Sequence, residues 1–268
     1  MWGGGRVYQN TSFPAALDAI YKFATTGSAT DTDAAQIISF GYSAGIGQLA
    51  AAQLDYGKPI EDAPVFADFN AIPYVQSTTA IQFQSNITIT MNGDLPDGAR
   101  ETYWDVSFKL DRGLFTYLVN TFYELLPAIV DAAGLLPTIS IQAITEGQLT
   151  GMQKKGGNAL GLDPAGGPYF IMNMGTMWND PADDDRILKF HSDVIKRVKA
   201  EAKSKGLDND FIYQNYASQF QDVFSSYGKK NQEKLAAISK KYDPTQVFQK
   251  LQPGYFKLKG GAPNKSEP

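Results

Sequence analysis

Apolar and polar positions alternate along the chain with periods that separate helices from strands. Thr11-Ser12-Phe13-Pro14 offers a hydroxyl cap followed by proline in the first turn. Leu17, Ile20, Tyr21 and Phe23-Ala24 then form one apolar face that ends at Gly27. Ile37 to Tyr42 is a short apolar run suited to a buried strand. Glu101 to Leu110 predicts a strand, and Arg112 to Ala133 a helix ended by Gly134. Thr138 to Ile144 sets Ile139, Ile141 and Ala143 against Ser140 and Gln142, the pattern of a half-buried strand. The glycine-rich stretch 154–167 predicts a loop and Tyr169 to Trp178 another strand.

Asp180-Pro181 opens the longest predicted helix, which runs to about Lys205 and stops at Gly206. Its Asp183-Asp184-Asp185 start and its lysine-rich end suit the helix dipole. Phe211 to Tyr216 predicts a short extended piece, 229–240 a helix, and 259–268 a flexible tail. Long helices among amphipathic strands, without regular βαβ spacing, predict an α+β fold with a largely antiparallel sheet.

Composition narrows the function. With 268 residues and 43% hydrophobic content, the chain is long enough to bury a sizeable core. A net charge of −4 with no Lys/Arg block argues against nucleic acid as a partner. Zero cysteines exclude disulfides, thiolate metal sites and cysteine nucleophiles, and the single histidine, His191, excludes a multi-histidine metal site within the chain. The apolar runs fall short of the roughly 18–20 residues that span a bilayer. Met1-Trp2-Gly3-Gly4-Gly5 lacks the charged start and apolar stretch of a signal peptide, so the localisation stays open. Asn10-Thr11-Ser12, Asn86-Ile87-Thr88 and Asn264-Lys265-Ser266 fit the glycosylation triplet, a pattern common by chance.

Gly41-Tyr42-Ser43-Ala44-Gly45 fits G-x-S-x-G in a context that could be strand, elbow and helix, as in serine hydrolases. His191 would have to be the base, yet it sits at helical spacing among Ile187, Phe190, Val194 and Val198. A helix histidine and a small-residue turn are therefore the preferred reading. Gly45-Ile46-Gly47-Gln48-Leu49-Ala50 overlaps it and fits a dinucleotide fingerprint, with Asp68 as the distant acid. Two overlapping motifs in one Gly/Ala/Ser stretch point to composition rather than chemistry. The aspartate triplet diverges around its helix and reads as a solvated start, and Lys154 to Asn158 fits an anion cradle of lysines and backbone amides or, at least equally well, a plain loop.

The last quarter is more specific. Phe211-Ile212-Tyr213-Gln214-Asn215-Tyr216 places two tyrosines three apart around an asparagine, so a bend is needed for both to share a site. Tyr227-Gly228-Lys229-Lys230-Asn231 and Lys241-Tyr242-Asp243-Pro244-Thr245-Gln246-Val247-Phe248 follow. The order Y-x-N-Y, Y-G-x-x-N, K-Y-D-P-x-x-V-F resembles the C-terminal part of fungal berberine-bridge-enzyme-like FAD-linked oxidoreductases. Trp2 to Tyr8 resembles the point where such proteins pass from flavin domain to substrate domain.

The resemblance implies the substrate-domain fold of vanillyl-alcohol-oxidase-type enzymes, with an antiparallel sheet covering the flavin and helices packed on its other face. It assigns 1–258 to the substrate domain and its C-terminal segment. Tyr216 corresponds to the general base of sugar-oxidising relatives, Tyr213 to a second site tyrosine, and Asn215 to a residue near FAD. The implied reaction is oxidation of an alcohol, sugar or secondary metabolite by proton abstraction and hydride transfer to FAD. A separate or missing FAD-binding domain is the implied partner, beside a small-molecule substrate, and such full-length proteins are often secreted. Alone, the chain is expected to bind no FAD tightly and to oxidise nothing. Aromatics around Tyr213, Tyr216 and Phe220 are expected to be exposed on the face left uncovered. A flavin-free ligand-binding or pericyclic-type protein and the Ser43–His191 hydrolase are the alternatives.

Overall fold

The computed structural model describes residues 1–27, 31–93, 97–252, 254 and 256–268. The strands are β1 (Trp2–Gln9), β2 (Ala34–Ser43), β3 (Gly47–Tyr56), β4 (Gln76–Ser77), β5 (Ala80–Ile81), β6 (Arg100–Lys109), β7 (Leu136–Ile144), β8 (Tyr169–Trp178) and β9 (Asp208–Asn209). The helices are α1 (Phe13–Lys22), α2 (Ala67–Asn70), α3 (Gln84–Gly93), α4 (Arg112–Leu125), α5 (Glu146–Met152), α6 (Asp184–Ser204), α7 (Val223–Ser226), α8 (Lys229–Tyr242) and α9 (Val247–Lys250). The strands form one sheet ordered β4-β1-β3-β2-β7-β8-β6-β9, with β5 also on the outer edge of β1. Every pairing in it is antiparallel. The α+β class with a largely antiparallel sheet is thus the observed fold.

Alternation along each strand produces two unlike faces. Ile38 and Phe40, Ala50, Ala52 and Leu54, Ile139 and Ile141, Met172 and Met174, and Trp104, Val106 and Phe108 send their buried side chains toward α1, α4 and α6. Phe115 meets Phe170 edge-on at 4.7 Å and Phe13 meets Phe40 at 5.0 Å, which locks α4 and α1 onto the sheet. The opposite face carries a smaller cluster around Ile144, Leu149, Tyr169, Ile171, Phe211 and Tyr227, and the rest of it mixes polar and small residues with larger ones such as Ile37 and Tyr103.

The predicted helix after Arg112 is shorter than expected. It ends at Leu125 and passes into a tighter turn over Leu126–Ala128, because Pro127 has no N–H and its ring crowds the preceding turn. Its start is set by Asp111, whose carboxylate accepts the Leu114 N–H at 2.7 Å. Asp111→Ala should therefore cost about 1 kcal/mol of stability, read as a lower urea midpoint with unchanged slope. A midpoint within error of the parent would show that tertiary packing alone holds the helix start.

Two glycines of β1 are there for close approach. A Cβ on Gly3 would lie 2.5 Å from an Asp55 oxygen, and one on Gly4, at φ +145, 2.5 Å from the Thr78 carbonyl. Bare backbone lets the 76–81 segment lie along the edge of β1.

The segment after Ser43 is not a helix. Gly47–Tyr56 is a strand paired with β2 on one side and β1 on the other, so its backbone groups are satisfied within the sheet. The helix preference of its alanines is a fraction of a kcal/mol per residue and yields to that pairing. The terminal residues, expected to form a flexible tail, reach back to α6, where the Ser192 hydroxyl lies 3.0 Å from a Glu267 oxygen. Among the described residues no helix is long and apolar enough to cross a membrane.

Candidate functional site

The second face of the sheet presents a polar lane running across four strands. Cross-strand register aligns Ser39, Ser140, Asn173 and Asp105 in one row, with Ile37, Gln142, Ile171 and Ser107 in the next. Ser39 and Ser140 share a hydrogen bond of 2.7 Å. The ring of Tyr103 lies against Gly175, where a Cβ would approach it to 3.2 Å. Beside the lane is a cavity of about 470 Å³ lined by Ile37, Gln53, Asp55, Gln142, Gln148 and Lys154, among others.

The predicted extended piece 211–216 is irregular backbone ending in a turn. Side chains of β6 fasten it where a strand ladder would otherwise do so. The Ser107 hydroxyl donates to the Phe211 carbonyl at 2.5 Å, and the Tyr213 N–H donates to Asp105 Oδ2 at 2.8 Å. The Tyr216 N–H then closes a turn on the Tyr213 carbonyl at 2.9 Å. That turn supplies the bend the spacing demanded. The two tyrosine rings meet edge-on, 5.0 Å apart at 89°.

Within this hook the Asn215 amide donates to the Tyr213 hydroxyl at 2.7 Å, and the Tyr216 hydroxyl reaches Gln142 Oε1 at 3.4 Å. The structure therefore brings Tyr213, Asn215 and Tyr216 together over the polar lane. Phe220 does not join them. It stacks on Trp104 at 5.4 Å and packs with the large core on the helix-covered side.

Burial and then the neighbouring Tyr213, Asp105 and Tyr103 push the Tyr216 phenol above its ordinary value near 10. No cation offsets this, so the phenol is neutral at pH 7 and is a hydrogen-bond donor in this chain. Asp105 is fully buried on the same face, and burial pushes its carboxyl up to about 7. The residues that the sequence pattern left unnoticed here are Asp105, Gln142, Asn173 and Tyr103. Asp105 had a signal, a charged residue between Trp104 and Val106 in a strand bound to be buried.

The hydrolase constellation is not assembled. Ser43 closes a β-hairpin opposite Gly47, with Ala44 to Ile46 exposed in the turn. His191 is wholly buried on α6, on the helix-covered side, bonded to Thr176 at 2.7 Å. A nucleophile elbow needs a strand-to-helix turn with the base in reach, and this site has neither. The same hairpin removes the helix N-terminus that a pyrophosphate would require at Gly45 to Ala50. The aspartate triplet is divided among separate partners, Asp184 pairing with Arg100 and Asp183 with Arg186. Among the described residues no group of three His, Asp or Glu could hold a metal ion.

No protein-family model matches the chain. Curated relatives do. An FAD-dependent monooxygenase of Fusarium proliferatum is 30% identical over 96% of this chain and 52% of its own length. One from Cochliobolus heterostrophus is 29% identical, again over 96% of this chain and 52% of its own length. Among solved structures, 6-hydroxy-D-nicotine oxidase of Arthrobacter nicotinovorans superposes with a TM-score of 0.61 at 14% identity, covering 93% of this chain and 53% of that one. A variant of berberine bridge enzyme gives a TM-score of 0.61 at 13% identity, over 92% and 54%.

In sequence the chain is thus similar to fungal FAD-dependent monooxygenases, and in fold to 6-hydroxy-D-nicotine oxidase and berberine bridge enzyme. The sequence likeness runs over nearly all of this chain, which spans about half the length of the curated relatives it matches.

Proposed function

We propose that the chain is the substrate-binding part of an FAD-linked oxidoreductase, with the Tyr213-Asn215-Tyr216 hook and the polar lane beneath it as its half of the active site. The observation that carries this reading is the hook itself: two phenols turned onto one sheet face beside a cavity, in a chain matching half of FAD-dependent relatives. FAD accepts a hydride when bound. The chain's own residues fit one side of that arrangement. The small and polar floor admits a flat ring system, and Asn215 is exposed at the rim.

They do not fit an attachment role. There is no cysteine, and His191 lies buried behind the sheet. In this reading Gln142 and the Ser39–Ser140 pair orient a small-molecule alcohol, sugar or secondary metabolite, and Tyr216 takes the proton from its hydroxyl or acidic group. The surface of α8 and α9 supports an outside partner. Tyr242 and Phe248 are 74% and 66% exposed, in the very segment that resembles the family's C-terminal motif, and Leu251 just after it is 76% exposed. We assign that surface to an FAD-binding half.

The test is a visible spectrum of the folded chain after gel filtration with excess FAD, repeated with the chain fused to the unmatched half of the Fusarium relative. The chain alone should carry no flavin absorbance and the fusion should retain it. Flavin eluting with the chain alone would overturn the division of labour. A folded fusion without flavin would overturn the proposed function.

A further inference from the structure

Two buried oxygens on the polar lane have no hydrogen-bond partner among the described residues, Asp105 Oδ1 and Asn173 Oδ1. They belong to residues directly opposed across the β6–β8 pair, on the same sheet face. Opposed side chains in an antiparallel pair have Cβ atoms about 5 Å apart, within reach of one another. The other Asp105 oxygen is already committed on the opposite side, where it accepts the Tyr213 N–H at 2.8 Å. The Asp105 main chain is also held. Its carbonyl accepts from the Gln221 amide at 2.6 Å, so the residue has little freedom to seek water.

Two unpaired acceptors on directly opposed residues inside a protein are each costly, and closer approach without a proton would be repulsive. One proton resolves both deficits. The environment favours it, because the titratable groups around Asp105 are the phenols of Tyr103, Tyr213, Tyr216 and Tyr227, and no lysine or arginine acts on the carboxyl. The charged residues Lys199, Asp210 and Asp222 line a pocket at the sheet edge with Phe211 and Ile212, not the lane. An ionised carboxylate would rest on neutral backbone N–H groups alone, those of Tyr213 and of Asp105 itself.

We propose that Asp105 is held as the neutral acid in the folded protein, its Oδ1 hydroxyl donating to Asn173 Oδ1, and that this pair is the positioning element for the tyrosine hook. The protonated carboxyl still accepts from Tyr213 through Oδ2, so the hook keeps its anchor. Below its own midpoint near pH 7 it also keeps a negative charge away from the Tyr216 phenol, which an ionised Asp105 would make harder to deprotonate. The last consequence rests on the proposed function. The proton and the anchor do not.

The experiment is carbon-13 NMR of the full chain with labelled aspartate carboxyls, followed from pH 4 to 8, with Asp105→Asn to assign the signal. One carboxyl should stay protonated at pH 5.5, titrating with a midpoint about three units above that of an ordinary aspartate. The Tyr213 amide proton should shift with the same midpoint, and that shift should vanish in Asp105→Asn, a response that a merely structural residue would not give. If every carboxyl of the folded wild type is ionised at pH 5.5, the proposal fails, and the Asn173 amide must be turned to donate to a carboxylate. This holds even if the variant does not fold, since the titration is read on the wild type. Failure of the flavin experiment would leave this result untouched.

Discussion

Replacing Tyr216 with phenylalanine in a flavin-loaded enzyme containing this chain should lower kcat/KM by roughly 10²–10⁴, the usual worth of a positioned proton-transfer group. The hydroxyl is the one part removed, since the ring would keep its edge-on contact with Tyr213. Its hydrogen bond to Gln142, at 3.4 Å, is long enough to give way to a substrate oxygen. Because burial and neighbouring groups raise its pKa, the phenolate is a small fraction at neutral pH. The wild-type rate should therefore climb from pH 7 to 9, and the variant should lose that climb while retaining flavin. Tyr213→Phe should cost less, since Tyr213 receives the Asn215 hydrogen bond and braces the hook. Steady-state rates against pH decide the matter. A Tyr216→Phe enzyme with unaltered kcat/KM would remove Tyr216 from the chemistry.

The second large effect is on stability, and it is hidden in the wild type. Burial pushes His191 from 6.5 down to about 3, so the folded state binds its proton less well than the unfolded state. Stability from this group is whole above pH 6.5 and is lost as the pH falls toward 3, by roughly 2–3 kcal/mol at pH 4.5. Asp105 works in the opposite sense. Its pKa rises from 3.8 to about 7, so its contribution is whole below 3.8 and is lost as the pH rises through 7. Between pH 7 and 4.5 it adds back about 3 kcal/mol.

The intact chain should accordingly show a nearly level urea midpoint over that window. Asp105→Asn should lose roughly 2–3 kcal/mol on acidification, and His191→Leu should gain about as much. Parallel midpoints in all three proteins would rule out both titrations. Below pH 4 the surface carboxylates of Glu124, Asp131 and Asp184, held low mainly by their arginine hydrogen bonds, add a further loss.

Much of the fold was legible because strands and helices here obey simple periods. Tyr169–Trp178 has the bounds predicted for it, and the long helix after Asp180-Pro181 ends beside Gly206 as its lysines and glycine indicate. The misreadings have one physical source. Gly47–Tyr56 is rich in alanine and was open to a helix, and its neighbours in the sheet, 40 or more residues away from it in β1, made it a strand. Pro127 was a local signal that outweighed the apolar pattern around it.

The candidate site divides in the same way. The order of the C-terminal motifs pointed to Tyr213, Asn215 and Tyr216 through its resemblance to a known family, because a short motif carries its own spacing. The lack of cysteine and the single histidine excluded a bicovalent flavin attachment within this chain without any coordinates, while the burial of His191 was decided by the fold. Tertiary structure decided what lies under those tyrosines. Gln142 is 74 residues from Tyr216, and Asp105 is 108 from Tyr213. Periodicity says which face of its own strand each occupies, and it says nothing about which strand stands beside which. Strand order is set by long-range burial of Ile38, Ile141, Met172 and Val106 against the helices, and that order creates the polar lane and its buried acid.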